Sequence, residues 1–164
     1  MTVNATPFVN GTPLDASQVN NLPMGFNDVA GGTNTTSLPA ATQVQILSKT
    51  MTIYAGRRYR ITGQAGFQPS ANSTGNYIFL EIATFFRKVL WYQGNQINAN
   101  FPQYAGGVYI TTATAMGVTS GSSSRTFNLF IRLGGGGALN TNPDGQVGAG
   151  SAEQLLWIED IGNE

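Results

Sequence analysis

Few side chains in this sequence could do chemistry. Histidine is absent, which removes the commonest general base and most zinc or iron ligation. Cysteine is absent too, so no disulfide framework or redox compartment can be read. Ser122-Ser123-Ser124 has no histidine or lysine beside it to activate a hydroxyl. Glu159 and Asp160 are adjacent, so on a strand they point to opposite faces and cannot serve one substrate as a carboxylate pair. Glu81 sits inside an apolar stretch and reads as an arginine's ion-pair partner or an interface residue rather than a lone catalytic acid. Gly134-Gly135-Gly136-Gly137 invites comparison with a phosphate-cradling loop, but the Lys-Ser/Thr and the helix that should follow are missing. It reads as a flexible hairpin connection. Asn142-Pro143-Asp144-Gly145 offers one carboxylate, too few for calcium, and is an ordinary turn signal. No catalytic residue, cofactor or metal site is expected, and the chain reads as a non-enzyme.

One binding chemistry remains open. Trp91, Tyr92, Phe101 and Tyr104 flank a long polar connection, 93–106, with Asn95, Asn98 and Asn100 among them. Rings beside amides could form a sugar-stacking surface; the alternative is that these aromatics belong to the core.

Composition narrows the partners. Charged residues are 10% of the chain, and eight basic residues cancel eight acidic ones, against about 25% charged in an ordinary soluble domain. Binding a phosphate backbone takes an excess of Lys and Arg, and the only basic cluster, Arg57, Arg58 and Arg60, reads as a solvated or salt-bridged strand end. Nucleic acid is therefore not an expected partner. A near-zero net charge is poor for keeping a free monomer soluble, so the composition suits a subunit of an assembly. Met1-Thr2-Val3-Asn4 has no basic residue ahead of an apolar run, and nothing approaches the ~20 apolar residues of a membrane span. Synthesis in the cytoplasm of the cell that makes it, without a signal peptide, and no membrane insertion, are expected.

The elements that must position these residues are strands. In 50–67, two alternating segments meet at Ala55-Gly56, with Tyr59, Ile61, Gly63, Ala65 and Phe67 on one face and Arg58, Arg60, Thr62 and Gln64 on the other. Further strand candidates are 42–48, 76–87, 89–93, 107–116, 125–133 and 154–161. Within 125–133, Phe127, Leu129, Ile131 and Leu133 share the core face, and Phe130 is the apolar exception on the outer one. Short strands separated by Gly, Asn and Ser clusters, without an amphipathic helix among them, predict an all-β antiparallel sandwich, jelly-roll-like, of about eight strands. The stretch 76–87 is apolar on both faces, so both need cover. Either a loop or a neighbouring subunit supplies the second cover, and the subunit is the preferred one, which makes Ile78, Leu80, Phe86 and Phe130 candidate oligomer-interface residues.

Residues 1–39 differ from the remainder and are expected to form an extended arm ahead of a body spanning 40–164. Thr12 is a good N-cap, Pro13 suits the first helical position, Asp15 stands where a capping-box acid reaches back, and Pro23 ends the run. This predicts a short helix over about 13–22 with a narrow stripe of Leu14, Val19 and Leu22, marginal unless it lies against something. With Phe8, Val9 and Phe26 flanking it, the arm reads as an attachment device.

Two stretches carry a family resemblance. Phe8-Val9-Asn10-Gly11-Thr12-Pro13-Leu14-Asp15-Ala16-Ser17-Gln18-Val19-Asn20 resembles the leader of many tailed-phage fibre and minor tail proteins. Ile53-Tyr54-Ala55-Gly56-Arg57-Arg58-Tyr59-Arg60-Ile61 and Leu155-Leu156-Trp157-Ile158-Glu159-Asp160-Ile161-Gly162 are similar to segments of small β-sandwich proteins of actinobacterial and related phages. Those are minor tail proteins, and similar domains serve as capsid decorations or head fibres. The resemblance implies a non-enzymatic virion protein, trimeric, anchored by its leader, with a jelly-roll body displayed at the virion surface. On this reading the chain is a tail- or fibre-associated minor tail protein with a share in host-surface adhesion. The rivals are a capsid decoration gripping the major capsid protein, which the short chain favours, and a free lectin-like module for a host cell-surface glycan.

Overall fold

A computed structural model describes residues 27–32, 37–99, 103–139 and 154–164. Among them the chain forms the strands β1 (Asn27–Gly32), β2 (Ser37–Leu38), β3 (Gln43–Tyr54), β4 (Arg57–Pro69), β5 (Asn76–Ile82), β6 (Phe86–Gln93), β7 (Gln103–Thr112), β8 (Ser122–Arg132), β9 (Gly137–Leu139) and β10 (Gln154–Asn163), with a 3-10 turn at Thr114–Met116.

All pairings are antiparallel. β4 is the hub of a six-stranded sheet: β10 lines one edge and carries β1 outside it, while the other edge pairs β7 from Arg58 to Phe67 and then β9, with β2 beyond. The second sheet has four strands in the order β3-β8-β5-β6. The sheets face each other with β1 against β3 and β7 against β6. Apart from the two short strands β2 and β9, each connection passes from one sheet to the other except the β5–β6 hairpin. Eight strands wound this way, β1-β10-β4-β7 over β3-β8-β5-β6, make a jelly roll.

Alternation explains the core. From β4 come Tyr59, Ile61, Ala65 and Phe67, from β8 Phe127, Leu129 and Ile131, and from β10 Leu156 and Ile158, all fully buried between the sheets. Each large side chain so buried contributes about 1.5–3 kcal/mol. At the β6–β7 corner the backbones nearly touch: a Cβ on Gly107 would lie 2.4 Å from the Leu90 carbonyl oxygen. Glycine there lets the corner close.

The structure corrects four expectations. The body does not begin after Pro39, because β1 pairs with β10 over six residues and Leu38 is buried in the core. Residues 76–87 are two strands: the chain reverses at Ala83-Thr84-Phe85, where Thr84 takes φ +69° and the Phe85 amide bonds the Ile82 carbonyl at 3.0 Å. Residues 42–48 and 50–54 are one strand, β3, with a register shift between Gln45 and Leu47. Ile78 and Leu80 are not at an oligomer interface, since both point between the sheets and are wholly buried in their own chain. The expected helix at 13–22 and the arm residues Phe8, Val9, Leu14, Val19, Leu22 and Phe26 lie outside the described residues.

Candidate functional site

The carboxylates whose side chains are described are all engaged. Asp160 points inward, where Arg57 Nε and Nη2 donate to its two oxygens at 2.9 and 2.8 Å and the Gly162 amide donates at 2.9 Å. Glu159, its neighbour, points outward and accepts from Arg60. Glu81 accepts from Arg87, so the arginine partnership expected for it is present. Glu164 accepts from the Thr114 amide and hydroxyl, each at 2.8 Å. Burial would raise the Glu164 carboxyl, but these bonds outweigh it and hold the group below its ordinary value. Burial pushes the Tyr59 phenol up, and its oxygen accepts the Tyr54 amide. Among the described residues no group of three or more His, Cys, Asp or Glu could hold a metal ion.

The glycine run is a packed turn. The Gly134 amide donates to buried Asn76 Oδ1 at 3.2 Å and the Gly135 amide to buried Ser73 Oγ at 2.9 Å. Amides that would face a phosphate are thus turned onto the protein's own side chains. A Cβ on Gly134 would lie 2.0 Å from the Thr74 carbonyl oxygen, so close packing, rather than looseness, requires the glycine there. Asn142-Pro143-Asp144-Gly145 lies outside the described residues.

The aromatic residues of the proposed ligand loop are dispersed. Trp91 is half-buried and packs on Phe67 with ring centroids 5.6 Å apart. Tyr92 faces the other way, exposed and stacked on Tyr77 at 4.7 Å. Tyr104 stands on the opposite sheet, where its hydroxyl donates to Gln64 Oε1 at 2.7 Å. Asn95 is exposed and Phe101 lies outside the described residues. Trp91, Tyr92 and Tyr104 therefore share no face on which a sugar could stack.

Both sheets carry exposed apolar side chains outward, and on the four-stranded sheet these are Val89 and Tyr92. On the four-stranded sheet Phe130 stacks on Phe79 at 5.1 Å, and the Arg87 guanidinium covers both rings, 4.8 Å from the Phe79 centroid and 5.8 Å from that of Phe130. Arg132 lies over Tyr77 and donates to the Ala41 and Gly75 carbonyls. Ser48 bonds Asn128 and Thr50 bonds Thr126 across the strands. Phe86 is half-buried at the corner, edge-on to Tyr109 at 5.5 Å. Phe79 on the outer face of 76–87 is thus covered by Phe130 and Arg87 of its own chain, while Phe86, paired with Ile82, turns inward against Tyr109.

Among the described residues nothing covers the outer face of the six-stranded sheet in this way. Directly paired residues share a face, so its outer side carries the rows Leu155–Gln64–Gly106, Trp157–Thr62–Val108 and Glu159–Arg60–Ile110, with Tyr104 beyond one end and Arg58 beyond the other. Val108 is 58% exposed, Ile110 55%, Tyr104 48% and Trp157 37%. Polar linkage on it includes the Arg60–Glu159 pair and the Tyr104–Gln64 bond, and Arg58 forms no ion pair among the described residues. This is the candidate interaction surface, and the sequence reading missed it. The signal was present: β7 is apolar on both faces, Tyr104, Val108 and Ile110 outward and Ala105 and Tyr109 inward, which is the pattern that singled out 76–87.

No protein-family profile matches the chain. No curated protein sequence matches it significantly either. Solved structures do match in shape. A chain of the T13 particle of infectious bursal disease virus, from a study of icosahedral virus evolution, superposes with TM-score 0.53 at 11% identity, covering 87% of this chain and 32% of that one. The VP2 subviral particle of the same virus gives TM-score 0.51 at 13% identity, covering 94% and 37%. At such identities the likeness is one of fold, an antiparallel two-sheet sandwich, and this chain spans about a third of the length of those it matches.

Proposed function

We propose that the chain is a non-enzymatic structural subunit of a virus particle, one jelly-roll body joined to other virion proteins through its leader and displayed at the particle surface. The observation that carries this reading is the strand order β1-β10-β4-β7 over β3-β8-β5-β6, in a fold like that of chains taken from icosahedral virus particles. Engagement of every described carboxylate in a structural bond supports it as well. The leader's resemblance to tailed-phage tail proteins supports a place on the tail, as a minor tail protein in a trimer. A specific observation favours the second reading, a capsid decoration gripping the major capsid protein: the structural likeness is to particle shells. Dispersal of Trp91, Tyr92 and Tyr104 gives a glycan-binding role no support.

The test is quantitative mass spectrometry of density-purified particles from the encoding phage. Peptides of this chain at a fixed stoichiometry to the major capsid protein, in a multiple of three copies, are the expected result. Particles of full infectivity that lack the chain would overturn the proposal.

A further inference from the structure

The apolar side chains that reach solvent are gathered at one corner of the body. Among the described residues, every exposed large one except Trp157 lies on β6, on β7 or in the reversal that leads into β6. These are edge strands of opposite sheets: among the described strands β6 pairs with β5 alone and β7 with β4 alone. At the corner they pass each other closely, with Gly107 against the Leu90 carbonyl and Lys88 Nζ 5.5 Å from the Tyr109 ring centroid. This antiparallel passage brings Val89 beside Val108 and Arg87 beside Ile110. Leu90 points between the sheets toward Gly63, so Val89 before it points out, and Tyr92, paired with Tyr77, points out as well. On β7 Tyr104, Val108 and Ile110 alternate outward. Val89, Val108 and Ile110 thus form one ridge along the corner, with Tyr92 and Tyr104 at one end.

From Tyr104 to Ile110 the ridge runs about 20 Å. With side chains standing out from two neighbouring strands it covers roughly 300 Å², on the scale of the patches that mark contact sites on soluble chains. A stable interface buries about 800 Å² on each partner, as an apolar core within a polar rim. The ridge supplies such a core, and Thr62, Gln64, Gln93 and Gln103 on the strands around it supply the rim. We propose that one copy of the chain meets another along this ridge. Charge selects that occupant. A surface that packs on its own copy must complement itself, so unbalanced charge along it would repel. The charged residues of β6 and β7 are Arg87 and Lys88, and both are engaged within their own chain: Arg87 donates to Glu81 and lies over Phe79, and Lys88 lies over the Tyr109 ring. The ridge therefore offers no free counter-charge to a strongly acidic or basic partner, and nothing along it repels a copy. The net charge of zero over the whole chain acts in the same direction. The inference goes beyond the virion reading, because it names the surface through which subunits join.

Sedimentation velocity on the full chain over a concentration series reads the contact. A species heavier than the monomer is expected to grow with concentration. Val89→Asp and Val108→Asp each put a carboxylate on the ridge at a side chain 58% exposed in its own chain, and each should weaken association about tenfold or more while the β-sheet circular dichroism is retained. Thr50→Asp, exposed on β3 at the far edge of the four-stranded sheet, should leave association unchanged. A chain that stays monomeric at ~100 μM, well above the affinities that interfaces of standard size reach, overturns the proposal. So does association that Val89→Asp and Val108→Asp weaken no more than Thr50→Asp does. Amide hydrogen exchange on the unaltered chain is the second measurement: protection of β6 and β7 should rise with concentration while that of β3 stays constant, and protection of β6 and β7 that is the same at every concentration counts against the ridge. Purified chain suffices for both readouts, so this inference and the virion reading fail separately.

Discussion

Removing the Asp160 carboxylate should be among the most damaging single changes available in this chain, whereas removing its neighbour Glu159 should do almost nothing. Asp160 is fully buried, and Arg57, 5% exposed, donates two hydrogen bonds to it. Asp160→Ala removes the buried carboxylate that accepts two hydrogen bonds from this buried guanidinium, a loss of about 3–5 kcal/mol. In a domain of this size each kcal/mol moves the unfolding midpoint by about 2–4 °C, so Tm should fall by roughly 10 °C or more. The Glu159–Arg60 pair is solvent-exposed, with side-chain exposures of 28% and 48%, and Glu159→Ala should cost under about 1 kcal/mol, a Tm change within about 3 °C. Replacing both buried partners, Arg57→Met with Asp160→Leu, removes the charge of both and should recover most of the loss. Thermal unfolding followed by circular dichroism, with calorimetry to test for a single transition, measures all three variants. Equal shifts for Asp160→Ala and Glu159→Ala, or a double variant worse than Asp160→Ala, would refute the reasoning.

Three further outcomes follow from the geometry. Gly107→Ala places a methyl 2.4 Å from the Leu90 carbonyl oxygen and should open the β6–β7 corner, seen as faster amide exchange in both strands; Gly121→Ala, whose Cβ would meet nothing within 4 Å, should cost only the ~1–2 kcal/mol of a left-handed backbone. Phe130→Ala loses the stack on Phe79, about 0.5–1.5 kcal/mol beyond its buried area, and should lower Tm without changing the mass measured by light scattering. Because the folded Glu164 carboxyl is held below its ordinary value of 4.5, its contribution is complete above that pH and disappears as pH falls through the lower folded value. Denaturant titrations should therefore show Glu164→Gln less stable than the parent at neutral pH, and the gap should close in acid.

Much of the body was legible because alternation reports burial directly. Phe127, Leu129, Ile131 and Leu133 are fully buried as their spacing requires, and Glu159 and Asp160 do face opposite ways. β1 was not legible: Asn27-Asp28-Val29-Ala30-Gly31-Gly32 has poor strand propensity, and its pairing to β10 is a long-range contact that no local pattern encodes. The β5–β6 reversal was hidden because Ala83-Thr84-Phe85 lacks Gly, Asn or Pro, although Thr84 adopts a left-handed backbone. Apolar pattern also says that a face needs cover without saying what supplies it. On β5 the cover is Phe130 and Arg87 of the same chain; on β7 no described residue provides it.

The most direct test of the proposed function is immunogold labelling of intact particles of the encoding virus, with antibody against the folded body. A structural subunit displayed on the virion predicts gold on the particle, over the capsid for a decoration and over the tail for a minor tail protein. Unlabelled intact particles, together with a strong antibody signal confined to the particle-free lysate, would contradict it.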